Sequence, residues 1–182
     1  MWKRPPGPLN VWEVIEGYES LEDGTKKPVK FSIQEVPDTV DRRGEFLDNL
    51  TRHFLAEEPL SKSLRIKEDP QGTENFRTLW QLGLDQGVCI GCYKLNSNGE
   101  ITDLVGCNSI FIMTATFREL LGHMKANFSP KFMKITEIFD VLSEQADVTK
   151  IFKVATYMRS MSLSVLPEYR GQKLGYHILK AR

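Results

Sequence analysis

The feature that most constrains this chain is the run YMRSMSLSVLPEYRGQKLGYHILKAR, from Tyr157 to Arg182. Met161, Leu163 and Val165 alternate with Ser160, Ser162 and Ser164. That period of two predicts a strand with apolar groups on one face and hydroxyls on the other. Pro167 cannot donate to a ladder, so pairing stops there. Arg170-Gly171-Gln172-Lys173-Leu174-Gly175 then turns and opens a helix, whose first amides have no intrahelical partner. Free N–H groups and the positive end of a helix dipole point at one place, a cradle for phosphate. Arg170 and Lys173 add positive charge beside it. An ordinary strand-to-helix junction has the same ingredients, so this stretch alone admits both readings.

The glycines narrow the choice. No Walker pattern G-x-x-x-x-G-K-[ST] is present, and a dinucleotide fingerprint needs three spaced glycines where this turn has only Gly171 and Gly175. The turn resembles the coenzyme A pyrophosphate loop of the GCN5-related N-acetyltransferases, Q/R-x-x-G-x-G/A. Arg170 and Gly175 fit its first and last positions, while Lys173 stands where the family has glycine. Val165, Pro167, Tyr169, Arg170 and Gly171, in the order V-x-P-x-Y-R-G, are also similar to that family. If the backbone at Lys173 takes positive φ, its side chain costs about 1 kcal/mol. Otherwise its ammonium strengthens coenzyme binding. The expectation is mild interference.

With 182 residues the chain suits one domain that buries a substantial core. Its 41% hydrophobic and 26% charged residues are those of a soluble globular protein. Lys plus Arg and Asp plus Glu are 24 each, which argues against a nucleic-acid binder. No apolar run approaches ~18 residues, so no membrane span is expected. MWKRPPGPLN lacks the apolar run of a secretory signal. An odd number of cysteines without such a signal suggests reduced thiols and a cytoplasmic protein, leaving the sequons at Asn49 and Asn127 unused.

Met1 to Pro28, rich in Pro, Gly and charge, reads as an irregular arm with a short helical piece around Val11 to Glu16. Trp2, Trp12 and Tyr18 would pin it to the domain that follows, residues 29–182. Val29 to Glu35 alternates as a strand, and a helix is expected from Asp41 through Phe46, Leu50 and Phe54. His53 borders that stripe as a packing or surface residue. One or two more helices lie within Ser61 to Gly87, with Asp69-Pro70-Gln71-Gly72 as a turn. Val88 to Leu95 and Ile101 to Met113 form a hairpin closed at Asn98-Gly99. Cys89 and Cys92 have C-x-x-C spacing, but residues three apart on a strand face opposite sides, so core cysteines fit better than a metal site. Thr116 to Met124 and Pro130 to Gln145 read as helices.

Glu57-Glu58-Pro59 ends the first helix, since proline forces Glu58 out of the α region. A carboxylate at the negative end of a helix, beside a second one, has its pKa raised, as a general base near neutral pH requires. A solvated acidic pair before a proline is the alternative. The phrase His53 to Ser61, HFLAEEPLS, resembles the F-x-x-D/E-E-P-L segment of the insect arylalkylamine N-acetyltransferases, where the glutamate before the proline is the proposed base. The block PKFMKITEIFDVLSEQADVTKIF followed by MSLSV is similar to that branch's helix and coenzyme strand. The resemblance covers roughly Phe31 to Arg182 and implies a layered α+β acyltransferase fold. It also implies acetyl-CoA as co-substrate, no metal, and a small primary amine, arylalkyl or related, as acceptor.

By that resemblance Leu163, Ser164 and Val165 would pair through their backbones with the pantetheine amides. Arg170, Gly171, Gln172, Lys173, Leu174 and Gly175 would hold the pyrophosphate. Glu58 would take the amine's proton, and a backbone N–H near Val165 would meet the charge that develops on the thioester oxygen. Ser164 matches a serine assigned a catalytic part in the insect branch, although Ser160, Ser162 and Ser164 equally suit a polar strand face. Members of the family continue past the coenzyme helix with further strands, so this chain is expected to be a truncated member whose coenzyme strand has an open apolar edge. A non-catalytic domain that binds coenzyme A weakly, or acts as an interaction module, is the competing expectation.

Overall fold

The computed structural model describes all residues from Met1 to Arg182. The N-terminal residues, read above as an irregular arm with a short helix near Val11 to Glu16, form a strand instead. β1 (Val11–Ser20) pairs antiparallel with β2 (Lys26–Glu35), Ile15 opposite Phe31 and Tyr18 opposite Pro28. Their turn is built on Asp23, whose Oδ1 accepts from the Thr25 amide at 2.9 Å, and on Gly24 at φ +81°. β1 is an edge strand in which no side chain is fully buried, so it lacks the apolar alternation that marks a strand in sequence.

Thr39 caps α1 (Val40–Asn49), which continues through a π-helical segment, Leu50–Phe54, into α2 (Leu55–Glu57). Pro59 then starts α3 (Pro59–Ser63). The Asp69-Pro70-Gln71-Gly72 sequence, expected as a turn, is the start of α4 (Pro70–Gln86). Proline is tolerated there because a first-turn amide has no partner to lose. Asp69 is held in place by the Ser129 hydroxyl, which donates to its Oδ2 at 2.6 Å. β3 (Ile90–Leu95) and β4 (Ile101–Met113) form the expected hairpin, with Gly99 at φ +80°. α5 (Ala115–Met124), α6 (Pro130–Gln145) and α7 (Val148–Phe152) lead to β5 (Tyr157–Val165). A 3-10 turn, Pro167–Tyr169, precedes α8 (Leu174–Lys180).

The sheet is antiparallel, in the order β1-β2-β3-β4-β5, so β5 is an edge strand. It separates two cores. On one face Phe46, Leu50, Phe76, Trp80 and Phe132 pack on Tyr93, Cys107 and Phe111. On the other, Tyr169, Leu174 and Ile178 cover Phe31, Ile33, Ile90 and Val105. This is the layered α+β arrangement expected. Cys89 belongs to the first core and Cys92 to the second, and burial pushes each thiol up to about 12.

β5 departs from strict alternation. Ser160 lies opposite Ile110 and Ser162 opposite Ser109, which leaves Met161 as a bulged residue without a counterpart. Met161 therefore joins the first core while Leu163 and Val165 join the second. Ser162 turns to the first core, where its Oγ accepts from Trp80 Nε1 at 2.9 Å. The even split into an apolar and a hydroxyl face does not hold.

Glu19 on β1 ties the first hairpin to the end of β5. Its carboxylate accepts from the Tyr169 hydroxyl at 2.8 Å and from Lys94 Nζ at 3.0 Å. The Tyr169 bond, and then Lys94, hold the Glu19 carboxyl below its ordinary value. A carboxyl lowered in the folded state adds stability that is complete above its unfolded value and is lost as pH falls through the folded one. Urea unfolding at pH 7 and at pH 3 should show a smaller acid loss for Glu19→Gln than for the parent chain.

Candidate functional site

The loop between β5 and α8 is built around free amides. The amides of Gly171, Gln172 and Lys173 make no backbone hydrogen bond, and the first helical amide to find a partner is that of His177, to the Lys173 carbonyl at 3.1 Å. Gly171 lies at φ +80° and Lys173 at φ +61°. The left-handed region is easy for glycine and strained for lysine. Lys173 thus sits in the unfavourable one of the two conformations the sequence left open.

Two side chains hold this loop. Gln172 accepts from the Tyr18 amide at 2.7 Å and donates to the Tyr18 carbonyl at 2.8 Å, so its side-chain amide imitates a neighbouring strand. A Cβ at Gly17 would lie 2.6 Å from Gln172 Oε1 and 2.8 Å from the Phe31 ring, which is why glycine stands beside this contact. Farther along, His177 Nδ1 lies 2.8 Å from Glu13 Oε2. None of Glu13, Gly17, Tyr18 or Glu19 carries a local sequence signal for these roles, because each partner lies far off in the chain.

Arg170 connects this loop to the acidic segment. Its Nε donates to the Val165 carbonyl at 2.8 Å, and its Nη2 pairs with Glu57. The expected acid segment and the expected coenzyme loop are therefore neighbours at the C-terminal end of β5. Glu58 itself is half-buried at φ −62° and ψ 127°, extended as its proline requires. Its environment differs from the expected one. Rather than facing the carbonyls of the preceding helix, its oxygens cap the next, accepting from the Leu60 amide at 3.0 Å and the Ser61 amide at 2.7 Å. The Ser61 hydroxyl beside it is buried and has no partner.

On β5, Leu163 is opposite Asn108, Ser164 opposite Cys107 and Val165 opposite Gly106, all on the side toward β4. The other side of the strand has no neighbour in the sheet. Ser160 donates to Asn108 Oδ1 at 2.7 Å and Ser162 serves Trp80, whereas Ser164 is buried with no side-chain hydrogen bond. By alternation Ser164 faces the same core as Ser162, the side that carries Glu58. The free amides, the guanidinium of Arg170 and the open strand edge together fit a ligand with a diphosphate and an amide-bearing arm. No group of three or more His, Cys, Asp or Glu side chains is placed to hold a metal ion. No helix is long and apolar enough to cross a membrane.

This is the fold of the GCN5-related N-acetyltransferases. No family model and no curated protein matches the chain. Among solved structures, it is similar to arylalkylamine N-acetyltransferase 7 from the yellow fever mosquito Aedes aegypti, with TM-score 0.83 and 23% identity over 100% of this chain and 72% of that one. It is similar to arylalkylamine N-acetyltransferase 2 from the same mosquito, with TM-score 0.65 and 20% identity over 82% and 67%. A Drosophila melanogaster polyamine N-acetyltransferase that forms N-acetylagmatine matches at TM-score 0.59 and 18% identity over the same shares, 82% and 67%.

Lys173→Gly should relieve the left-handed strain, worth ~1–2 kcal/mol, against ~0.5–1 kcal/mol of added chain entropy. A net gain of about 0.5–1 kcal/mol in urea unfolding is expected. Gln172→Ala should cost about 1–2 kcal/mol by orphaning both Tyr18 groups. It should also speed hydrogen exchange at Tyr18 more than at Ile33.

Proposed function

We propose that this chain is an acetyl-CoA-dependent N-acetyltransferase acting on a small primary amine, an arylalkylamine or a related biogenic amine. The observation that carries this reading is Arg170, which joins the Val165 carbonyl, Glu57 and the free-amide loop in one place. The fold shared with mosquito arylalkylamine and fly polyamine N-acetyltransferases supports it.

Acetyl-CoA supplies an acyl group activated as a thioester. The amides of Gly171, Gln172, Lys173, Leu174 and Gly175, with Arg170, bind its diphosphate. Arg170 must exchange Glu57 for phosphate to do so. The pair is about half exposed, with side-chain exposures of 46% and 43%, and such pairs contribute ~0–1 kcal/mol, so the exchange is cheap. The outer edge of β5 at Leu163, Ser164 and Val165 receives the amides of the pantetheine arm. Glu58 takes a proton from the acceptor ammonium, whose pKa is ~10, through a water. A carboxylate has about four lone-pair sites, and the α3 cap uses two, so it can accept from water without uncapping. Ser164, with an uncommitted hydroxyl on the same side of the sheet, orders that water or the leaving thiolate. Three buried, unpaired cysteines agree with a reducing compartment, and we place the reaction in the cytoplasm.

A non-catalytic coenzyme-binding domain is the second reading, favoured by one observation: both Glu58 oxygens already cap α3. Titration with acetyl-CoA while following the melting temperature, then addition of an amine panel with assay for free thiol, separates the two. Under the enzyme reading Glu58→Gln keeps the acetyl-CoA shift and lowers thiol release by about 10²-fold or more. A coenzyme shift without thiol release in the parent chain selects the second reading.

A further inference from the structure

The cleft between α5, α6 and the N-terminal half of β5 takes no part in the chemistry above. Its inner part is a cavity of about 130 Å³ walled by Phe111, Phe128, Phe132, Ile135 and Met161. An apolar cavity of ~150 Å³ is known to accept benzene, so one six-membered ring fits the scale. The cavity opens into a wider trough that includes Arg118, Lys125, Asp140 and Arg159. Phe139 and Arg159 line both parts, and the Arg159 guanidinium carbon stands 5.4 Å from the Phe139 ring centroid. A cation stacked on an aromatic ring is held at the junction between cavity and trough.

The charges of the trough do not balance locally. Lys125 pairs with Asp140, and Lys150 pairs with Asp147 at 3.4 Å. Arg118, Arg159 and Arg182 have no carboxylate partner, and the unpaired acid that remains, Glu144, is exposed to solvent. Arg118 Nη1 is buried with no hydrogen-bond acceptor. A desolvated guanidinium N–H without a partner is unfavourable, and a small turn of the Arg118 side chain toward the trough it lines would give that N–H a bound anion as acceptor. A guanidinium fork matches the two oxygens of a carboxylate.

We propose that this cleft binds a small aromatic carboxylate, with the ring in the Phe-lined cavity and the carboxylate on Arg159 and Arg118. Ser160, at the cleft, lies opposite Ile110 and Ser164 opposite Cys107, three residues apart on β4 and ~10 Å along the ladder. The site therefore stands apart from Glu58 and the coenzyme loop, and it does not depend on the acetyltransferase reading.

The test is a titration of the full chain with phenylacetate, acetate and phenethylamine, read by calorimetry and by melting temperature. Phenylacetate should bind, acetate should bind at least tenfold more weakly for want of a ring, and phenethylamine should not compete. Arg159→Gln, at a partly exposed position that leaves the core intact, should weaken phenylacetate about tenfold or more. Ile135→Phe should abolish binding by filling the cavity, and its melting curve reports that it is folded. Equal binding of acetate, tighter binding of phenethylamine, no phenylacetate binding, or an unchanged affinity in Arg159→Gln would each overturn the proposal.

Discussion

Everything at the candidate site depends on keeping a run of backbone amides unsatisfied. Left to itself, the segment after Tyr169 would close its own hydrogen bonds as a tighter turn or an added turn of α8. Three anchors prevent that. The Gln172 side chain is fixed to both polar groups of Tyr18, Gly171 and Lys173 hold left-handed backbone, and Tyr169 is wedged edge-on against Phe31 at 5.7 Å. Two of these anchors are set by the first hairpin, Tyr18 on the edge strand β1 and the fully buried Phe31 on β2, so that hairpin is what preorganises the loop. The strain at Lys173 is affordable for the same reason: the surrounding contacts over-determine its conformation.

The acid segment reaches the loop by a different kind of contact. Arg170 comes round the end of β5 from the side covered by α8 and meets Glu57 on the side covered by α1 to α4. Its two bonds are of unequal use. The bond to the Val165 carbonyl fixes the guanidinium stem near the strand end, and the exposed pair with Glu57 contributes little stability. An arginine so placed is held ready for an anion: a diphosphate offers it stronger, charge-assisted partners than one solvated carboxylate.

What the sequence could show was local. The β3–β4 hairpin with Asn98-Gly99, the limits of α6 at Pro130 and Gln145, and the strand-loop-helix at Tyr157 to Arg182 follow from periodicity, turn chemistry and proline placement. β1 escaped because a solvent-facing edge strand has no apolar alternation to read, although Asp23-Gly24 marked its turn. The residue types of the site were legible from resemblance, and their neighbourhood was not. Glu57 and Arg170 are separated by 113 positions, and Tyr18 and Gln172 by 154. The environment of Glu58 was misjudged because only its preceding helix was considered, whereas Glu58-Pro59 is also an acid cap followed by a first-turn proline.

The bulge at Met161 decides whether these residues can cooperate at all. A strand shifted by one residue sends every later side chain to the opposite face. Without the bulge, Leu163 and Val165 would share the face of Met161, against α4 and α6, and Ser162 and Ser164 would turn toward α8. Trp80 would lose its acceptor, the second core would lose Leu163 and Val165, and Ser164 would lie across the sheet from Glu58. One extra residue on an edge strand therefore satisfies both cores and puts the uncommitted serine on the side of the acid. It does so at the strand whose outer edge is left open. The packing demand and the placement of the candidate chemistry are met by the same irregularity.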